Sequence, residues 1–326
     1  MQYSDAPTPL APDPRPLAAG IAGASGYAGQ ELVRLLEQHP TLRPAALQAR
    51  SEGFDDIDAD RLATCDVVFL ALPHGESRAL GERLLELGTQ VVDLGSDFRV
   101  DGWTYGLPEL HREAIRVSRA VANPGCYATA AILGVAPLAA AGLIDGPVHL
   151  DGKSGVTGAG RTPSEKTHLP ELYNGITPYS ITGHRHLAEI EQELGALAGA
   201  PQPATFVPHL LPTSRGLLVT AHVRIVGSLD QADLDDLYRQ RYDDEPFVRL
   251  GGTPAPQRLA GSNVCWINAW VDDRTGTVLV AAALDNLVKG AAGQAVQCLN
   301  LRFGFDETTS LGIARRTHAI AHEVMS

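Results

Sequence analysis

No stretch of this 326-residue chain holds the ~18 consecutive apolar residues that a membrane-spanning helix needs, although 44% of its residues are hydrophobic. The composition is that of a globular protein long enough for two domains. Cysteine is scarce. Cys65, Cys126, Cys265 and Cys298 stand far apart, without CxxC pairs or metal-ligand spacing, so neither a disulfide framework nor a zinc ribbon is suggested. Basic residues are in deficit: 26 Lys and Arg against 38 Asp and Glu give a formal charge of -12. That balance argues against a nucleic-acid surface or a polybasic membrane patch, yet leaves room for a few arginines to converge on a small anion. No internal repeat is found. The opening MQYSDAPTPLAPDPRP has neither the basic start nor the apolar middle of a signal peptide, and its five prolines read as a disordered leader over residues 1–16. The protein is expected in the cytoplasm.

What the chain does have is an alternation of strand and helix patterns. LAAGIAGASGYAGQELVRLL (17–36) reads as a buried strand, a glycine-rich turn and a helix with Leu32, Leu35 and Leu36 on one face. ALQARS (46–51), CDVVFLALPHG (65–75) and TQVVDLGSDFR (89–99) read as further strands, and SRALGERLLELG (77–88) as a helix with a glycine stop. The order predicts an α/β fold with a Rossmann-type, doubly wound parallel sheet. After Cys126 the pattern changes to β-like runs, VHLDGKSGV, ATFVPHL, GLLVTAHVRI, NVCWINAWV and TVLVAAALD, with one helix at 186–198. This predicts a second α+β domain containing a largely antiparallel sheet. DNLVKGAAGQAVQCLNLRFG (285–304) reads as one long amphipathic helix returning to the first domain. The expected division is 17–126 with 286–326 for the first domain and 127–285 for the second.

The glycines Gly23, Gly26 and Gly29 of GASGYAG allow a tight turn and close approach of backbone N–H groups to a pyrophosphate at a helix N-terminus. Arg50 and Ser51 end the second strand where NAD-binding proteins place an acid, so a cation for the 2′-phosphate of NADP is expected there. Cys126 follows Asn-Pro-Gly at the start of a helix, where the helix dipole and amide donors lower a thiol's pKa and favour the nucleophilic thiolate. The other three cysteines lie in apolar runs and read as small buried hydrophobes. GHRH (183–186) offers His184 and His186 as proton partners; in an extended segment the two would point to opposite sides, leaving one to face the thiol. Arg99, read at the end of the strand GSDFR, and the loop SGVTGAGR (154–161) lie where a substrate could be held, with Arg185 and Arg215 as further anion-binding candidates.

Taken together, GASGYAG, FLALPHG, GSDFR, YGLPEL, NPGCYATA, SGVTGAGR, GHRH with AEIEQEL, PTSRG, and GSNVCWINAWVDDRTG running into ALDNLVKGAAGQAVQCLN span about residues 17–311. In that order they resemble the N-acetyl-gamma-glutamyl-phosphate reductases, NADPH-dependent enzymes of arginine biosynthesis related to the aspartate-semialdehyde dehydrogenases. The resemblance implies Cys126 as nucleophile, His184 as its acid/base partner, Arg99 on the phosphate leaving group and Asn286 on the nicotinamide. The cofactor contacts expected are Gly23, Ser25, Gly26, Tyr27, Gly29, Arg50, Ser51, Pro73, Ser154, Gly155 and Asn286. Those expected for substrate are Arg99, Asn123, Arg185, His186 and Arg215. A homodimer or homotetramer acting on a small acyl phosphate is implied, with NADP(H) as cofactor and no metal. Carrier-linked aminoadipyl phosphate and aspartyl phosphate remain as alternative substrates. The segments 51–65 and 99–105 are shorter than in the longer members of that group.

Overall fold

Short apolar runs, each closed by a glycine or a polar turn, form parallel strands that are covered on both faces. The computed structural model describes residues 15–161, 169–173 and 175–312. Most of the leader (1–14) and the tail 313–326 lie outside the described residues. Strands β1 (Leu17–Ala22), β2 (Leu42–Gln48), β3 (Val67–Leu70), β4 (Gln90–Asp93), β5 (Thr104–Tyr105) and β6 (Ala120–Ala122) make one sheet, ordered β2-β1-β3-β4-β6-β5. Every pair in it is parallel. Helices α1 (Tyr27–Glu37), α2 (Ala59–Leu62), α3 (Arg78–Glu86) and α4 (Pro108–Val117) connect the strands. The chain leaves β1 toward β2 on one side and then returns to β3 on the other, which opens a crevice at the carboxyl ends of β1 and β3.

Helix α5 (Cys126–Ala140) carries the chain to the second sheet. That sheet comprises β7 (Val148–Gly155), β8 (Thr177–Pro178), β9 (Ala204–Leu211), β10 (Leu217–Arg224), β11 (Val248–Leu250), β12 (Cys265–Asp272) and β13 (Thr277–Leu284). Its order is β11-β12-β13-β10-β7-β9-β8. The β7–β9 and β11–β12 pairs are parallel and the remaining neighbours antiparallel, so the sheet is mixed and mostly antiparallel. Three further helices belong to this part: α6 (Leu169–Leu172), α7 (His186–Ala198) and α8 (Gln231–Tyr242). One core gathers α5, Ile190 and Leu194 of α7, Leu234 of α8 and the inward residues of β10, including Leu217, Val219 and Val223. Helix α8 was not anticipated, because QADLDDLYRQRY is mostly polar and buries only Leu234, Tyr238 and Tyr242.

Three readings need correction. The second strand spans Leu42–Gln48 instead of 46–51, so Arg50 and Ser51 lie beyond its end. The fourth strand stops at Asp93, so Arg99 lies in a turn beyond it rather than at its end. The segment 285–304 is not one amphipathic helix: a π-helical turn, Val288–Ala292, precedes α9 (Gly293–Arg302), and every residue of α9 is buried. Its polar side chains find partners inside; Gln294 donates to Gly106 O, and Gln297 accepts from Lys289. Packed against Leu32, Leu35 and Leu36 of α1, α9 completes the core of the first sheet. Among the described residues no helix is long and apolar enough to cross a membrane.

Helix α5 is buried on all sides and contains Pro137, which has no N–H to give the carbonyl of Leu133. The Tyr242 hydroxyl of α8 donates to that carbonyl at 2.5 Å, and Tyr238 donates to the neighbouring Gly134 O at 2.6 Å. Removing the Tyr242 hydroxyl leaves a buried acceptor without its donor, a loss of about 1–3 kcal/mol. Tyr242→Phe is therefore expected to lower the urea midpoint of unfolding at unchanged m-value, which equilibrium denaturation measures directly.

Candidate active site

The crevice at β1 and β3 continues across the junction with the second sheet into a single cleft of about 990 Å³. At one end lies the glycine-rich turn. Gly23 has φ +89°, and a Cβ on it would sit 2.2 Å from the Ala71 carbonyl oxygen, so only glycine permits the turn. Gly26 is the N-cap of α1 and has no side-chain cap, which leaves the helix's first amides directed at the cleft. Ser25 and Ser51 touch through their hydroxyls at 2.9 Å, and Arg161 donates to Ser25 O at 2.9 Å. Arg50, largely exposed, pairs with Glu76 at 2.8 Å across the same end. The donor set suits a phosphorylated ribose: two hydroxyls, two guanidinium groups and a helix N-terminus surround it.

At the other end Cys126 opens α5, partly exposed to the cleft. Two glycines clear space around it. A Cβ on Gly125 would lie 2.3 Å from His186 Nε2, and one on Gly290, in the π-helical turn, would lie 2.7 Å from Cys126 Cβ. The thiol does not carry the lowered pKa that its helical position suggests. Burial pushes it up from 9.0 to about 11, outweighing the nearby Arg185 and Arg99 and the Tyr127 backbone amide. The dipole argument considered the helix alone; the protein packed around the sulfur decides the sign.

Both histidines face this end. Arg185 caps α7 in a helical conformation (φ -56°, ψ -24°), so the segment is not extended and the two rings fall on the same side. Their centroids are 4.6 Å apart, and both stand edge-on to Tyr127, at 5.9 Å for His184 and 6.1 Å for His186. His184 Nδ1 accepts the His186 amide N–H at 3.2 Å, which leaves its Nε2 as the N–H end of a neutral ring. Burial, then Arg185 and Arg99, hold His184 down at about 4. His186 is lowered by the same causes, burial first.

The arginines separate into two groups. Arg185 is exposed at the cleft and has no carboxylate partner among the described residues. Arg99 also lines the cleft, but its guanidinium is committed: Nε to Asn123 O at 2.8 Å, Nη1 to Glu189 at 3.0 Å and Nη2 to Leu94 O at 2.9 Å. Arg215 is outside the cleft lining, bonded to Glu31 at 2.6 Å and Asp285 at 3.4 Å. Asn123 is likewise off the wall, its amide turned toward Ala291 O. Gly29 serves packing, since a Cβ there would meet the Gly23 carbonyl oxygen at 2.3 Å. Of the residues expected at the substrate, Arg215 and Asn123 do not line the cleft: the Arg215 guanidinium is held by Glu31 and Asp285, and Asn123 donates through Nδ2 to Ala291 O. Gly23, Ser25, Gly26, Tyr27, Arg50, Ser51, Pro73, Ser154, Gly155 and Asn286 all line the cleft. Asn286 is spanned between Gly216 N, which donates to its Oδ1, and Thr157 Oγ1.

Sequence reasoning missed Tyr127, Tyr179 and Gly290, which line the cleft, and Glu189, which is buried behind it. Each lies in or beside a quoted stretch, but no residue type there signals chemistry without a fold.

Family models match twice: the semialdehyde dehydrogenase NAD binding domain over residues 18–118, and the semialdehyde dehydrogenase dimerisation domain over 126–286. The chain is 44% identical to the N-acetyl-gamma-glutamyl-phosphate reductase of Moorella thermoacetica, across 91% of this chain and 98% of that protein. It is 45% identical to the one from Halorhodospira halophila, across 90% and 98%. Among solved structures, aspartate semialdehyde dehydrogenase II from Vibrio cholerae superposes with a TM-score of 0.72 at 18% identity, covering 88% of this chain and 98% of that one. The aspartate semialdehyde dehydrogenase of Candida albicans, solved with NADP, gives 0.66 at 15%, covering 88% and 98%. These two likenesses concern the fold.

Two expectations follow from the geometry. Gly290→Ala sets a methyl 2.7 Å from Cys126 Cβ and forces that residue to shift; overpacking of this kind costs about 1–3 kcal/mol, so the unfolding midpoint is expected to fall, and kcat/KM of the folded fraction to drop about a hundredfold. The folded His184 resists a proton that the unfolded chain accepts below 6.5. Stability therefore falls as pH drops from 6.5 toward about 4 and is level above that window. In urea titrations across the window, His184→Asn should make the slope shallower.

Proposed function

We propose that this chain, which belongs to the N-acetyl-gamma-glutamyl-phosphate reductases of the semialdehyde dehydrogenase family, converts N-acetyl-γ-glutamyl phosphate to N-acetylglutamate semialdehyde and inorganic phosphate through a thioester on Cys126. The enzyme class is an NADP-dependent acyl-phosphate reductase of arginine biosynthesis. One observation carries the mechanism: a single cleft holds the thiol at the start of α5, two neutral imidazoles and a glycine-rich turn flanked by arginines.

The thiol and both imidazoles are neutral in the free site. Cys126 Sγ attacks the acyl carbon; the C–O bond to phosphate breaks, and the thiol proton ends on the leaving phosphate, which departs as the hydrogen phosphate dianion. Arg185, exposed and without a carboxylate partner among the described residues, offsets the negative charge that gathers there. His184 presents its Nε2–H to the tetrahedral oxygen and exchanges the proton as the intermediates collapse. NADPH, when bound, supplies the hydride that a thioester carbon accepts and a carboxylate carbon does not. Gly23, Ser25, Gly26, Arg50 and Ser51 would hold its adenosine end, and Asn286, which lines the same cleft, would meet its nicotinamide end. The reduced carbon then releases Cys126 as a free thiol and leaves as the aldehyde. We assign the second sheet, within the stretch matching the dimerisation domain, to assembly of a homodimer or homotetramer.

Cys126→Ser should lower phosphate-dependent oxidation of N-acetylglutamate semialdehyde by at least about a thousandfold. NADPH affinity, read by fluorescence titration, should stay at the wild-type value; residual turnover near wild type would remove Cys126 from the role of nucleophile.

A further inference from the structure

Behind the cleft lies a buried carboxylate that none of the chemical steps uses. Glu189, on the first turn of α7, is 1% exposed. Its Oε2 accepts the Gly125 amide at 3.1 Å and the Tyr105 hydroxyl at 2.7 Å. Its Oε1 accepts Arg99 Nη1 at 3.0 Å and lies 4.0 Å from His186 Nε2. Gly125 is the N-cap of the helix that Cys126 begins, so one carboxylate is joined to the nucleophile's backbone, to the arginine on the cleft wall and to an imidazole. The geometry points to Glu189 as the positioning residue that fixes Cys126 relative to Arg99 and His186, and so sets the attack geometry. This rests on the thioester reading above.

The arrangement has an electrostatic cost that makes the role recognisable. A carboxylate beside the amino end of α5 cancels part of the helix's positive end, and Glu189 raises the thiol's pKa. The other groups facing the sulfur are Arg99 from the loop after β4, His184, Arg185 and His186 from the start of α7, Tyr127 from α5 and Tyr179 from the loop after β8. Arg99 and Arg185 act against Glu189, so the carboxylate is a net loss for thiol ionisation. Its benefit lies in geometry. Removing the charge while keeping the shape should therefore make the thiol easier to ionise and the enzyme slower, a combination that a purely structural residue does not give.

The test compares Glu189→Gln and Glu189→Asp. In Glu189→Gln, iodoacetamide inactivation near pH 8 should speed up about threefold, while kcat for semialdehyde oxidation falls at least about tenfold. Glu189→Asp keeps the charge but shortens the reach, so kcat should fall with no gain in alkylation rate. NADPH affinity should hold in both. Wild-type kcat in both variants overturns the proposal, as does a kcat loss in Glu189→Gln without faster alkylation. If neither variant folds, Tyr105→Phe decides: it removes one donor from Oε2, and a reduced kcat with wild-type NADPH affinity supports the proposal, whereas wild-type kcat refutes it. The alkylation arm needs no substrate. Failure of the wild-type protein to oxidise the semialdehyde therefore sinks the proposed reaction and is read separately from the coupling of Glu189 to Cys126.

Discussion

The ion pair between Arg99 and Glu189 joins the two halves of the molecule at the point where chemistry is to occur. Arg99 comes from the loop after the fourth parallel strand, Glu189 from the helix that covers the second sheet, and the pair lies 3.0 Å apart in a site almost closed to water. Two buried charges are tolerable only if their remaining donors and acceptors are met. Here the Asn123 and Leu94 carbonyls complete the arginine, and the Gly125 amide and the Tyr105 hydroxyl complete the carboxylate. The contact thus ties the strand edge, the turn before Cys126 and the helix bearing the imidazoles into one rigid unit.

Close backbone approach is the second constraint. Space at Gly125 is taken by the His186 ring and space at Gly290 by Cys126 itself. The π-helical turn that contains Gly290 is anchored from the far side by Lys289, fully buried, which donates to Glu109 at 2.6 Å and Gln297 at 2.8 Å. A π turn in a helix otherwise suited to α geometry is a strained choice, frequent at functional sites. Here it brings a backbone against the thiol that a regular α-helix with a side chain at residue 290 would push away.

Electrostatics at the thiol is a balance rather than a single effect. The helix amino end and two guanidinium groups favour the thiolate, whereas burial and Glu189 oppose it, and burial is the largest contribution. Burial pushes the histidines the other way, downward, and the same arginines that draw the thiol down lower them further. A neutral thiol beside neutral imidazoles in the free site means that ionisation is coupled to what enters the cleft, since an incoming anion or cofactor changes both the local charge and the water content.

The sequence by itself determined four of the six strands of the parallel sheet, the glycine turn, five of the seven strands of the second sheet, the helix that starts at Cys126 and the helix at 186–198. These follow from local periodicity, turn chemistry and capping, which act over a few residues. Motif order also made one wall of the cleft legible, from Gly23 and Ser25 through Arg50 and Ser51. Only the tertiary structure decided the rest. Helix α8 carries too few apolar residues to show in periodicity and exists because Tyr238 and Tyr242 fill the face of α5. Arg215 stands off the cleft wall because Glu31 and Asp285 claim its guanidinium, the Asn123 amide nitrogen is turned to Ala291 O, and both histidines reach the cleft because Arg185 is helical. The thiol's pKa, the use of Glu189 and the need for Gly290 depend on atoms distant in the chain. Desolvation and contact are properties of the packed molecule, so no local pattern of residues encodes them.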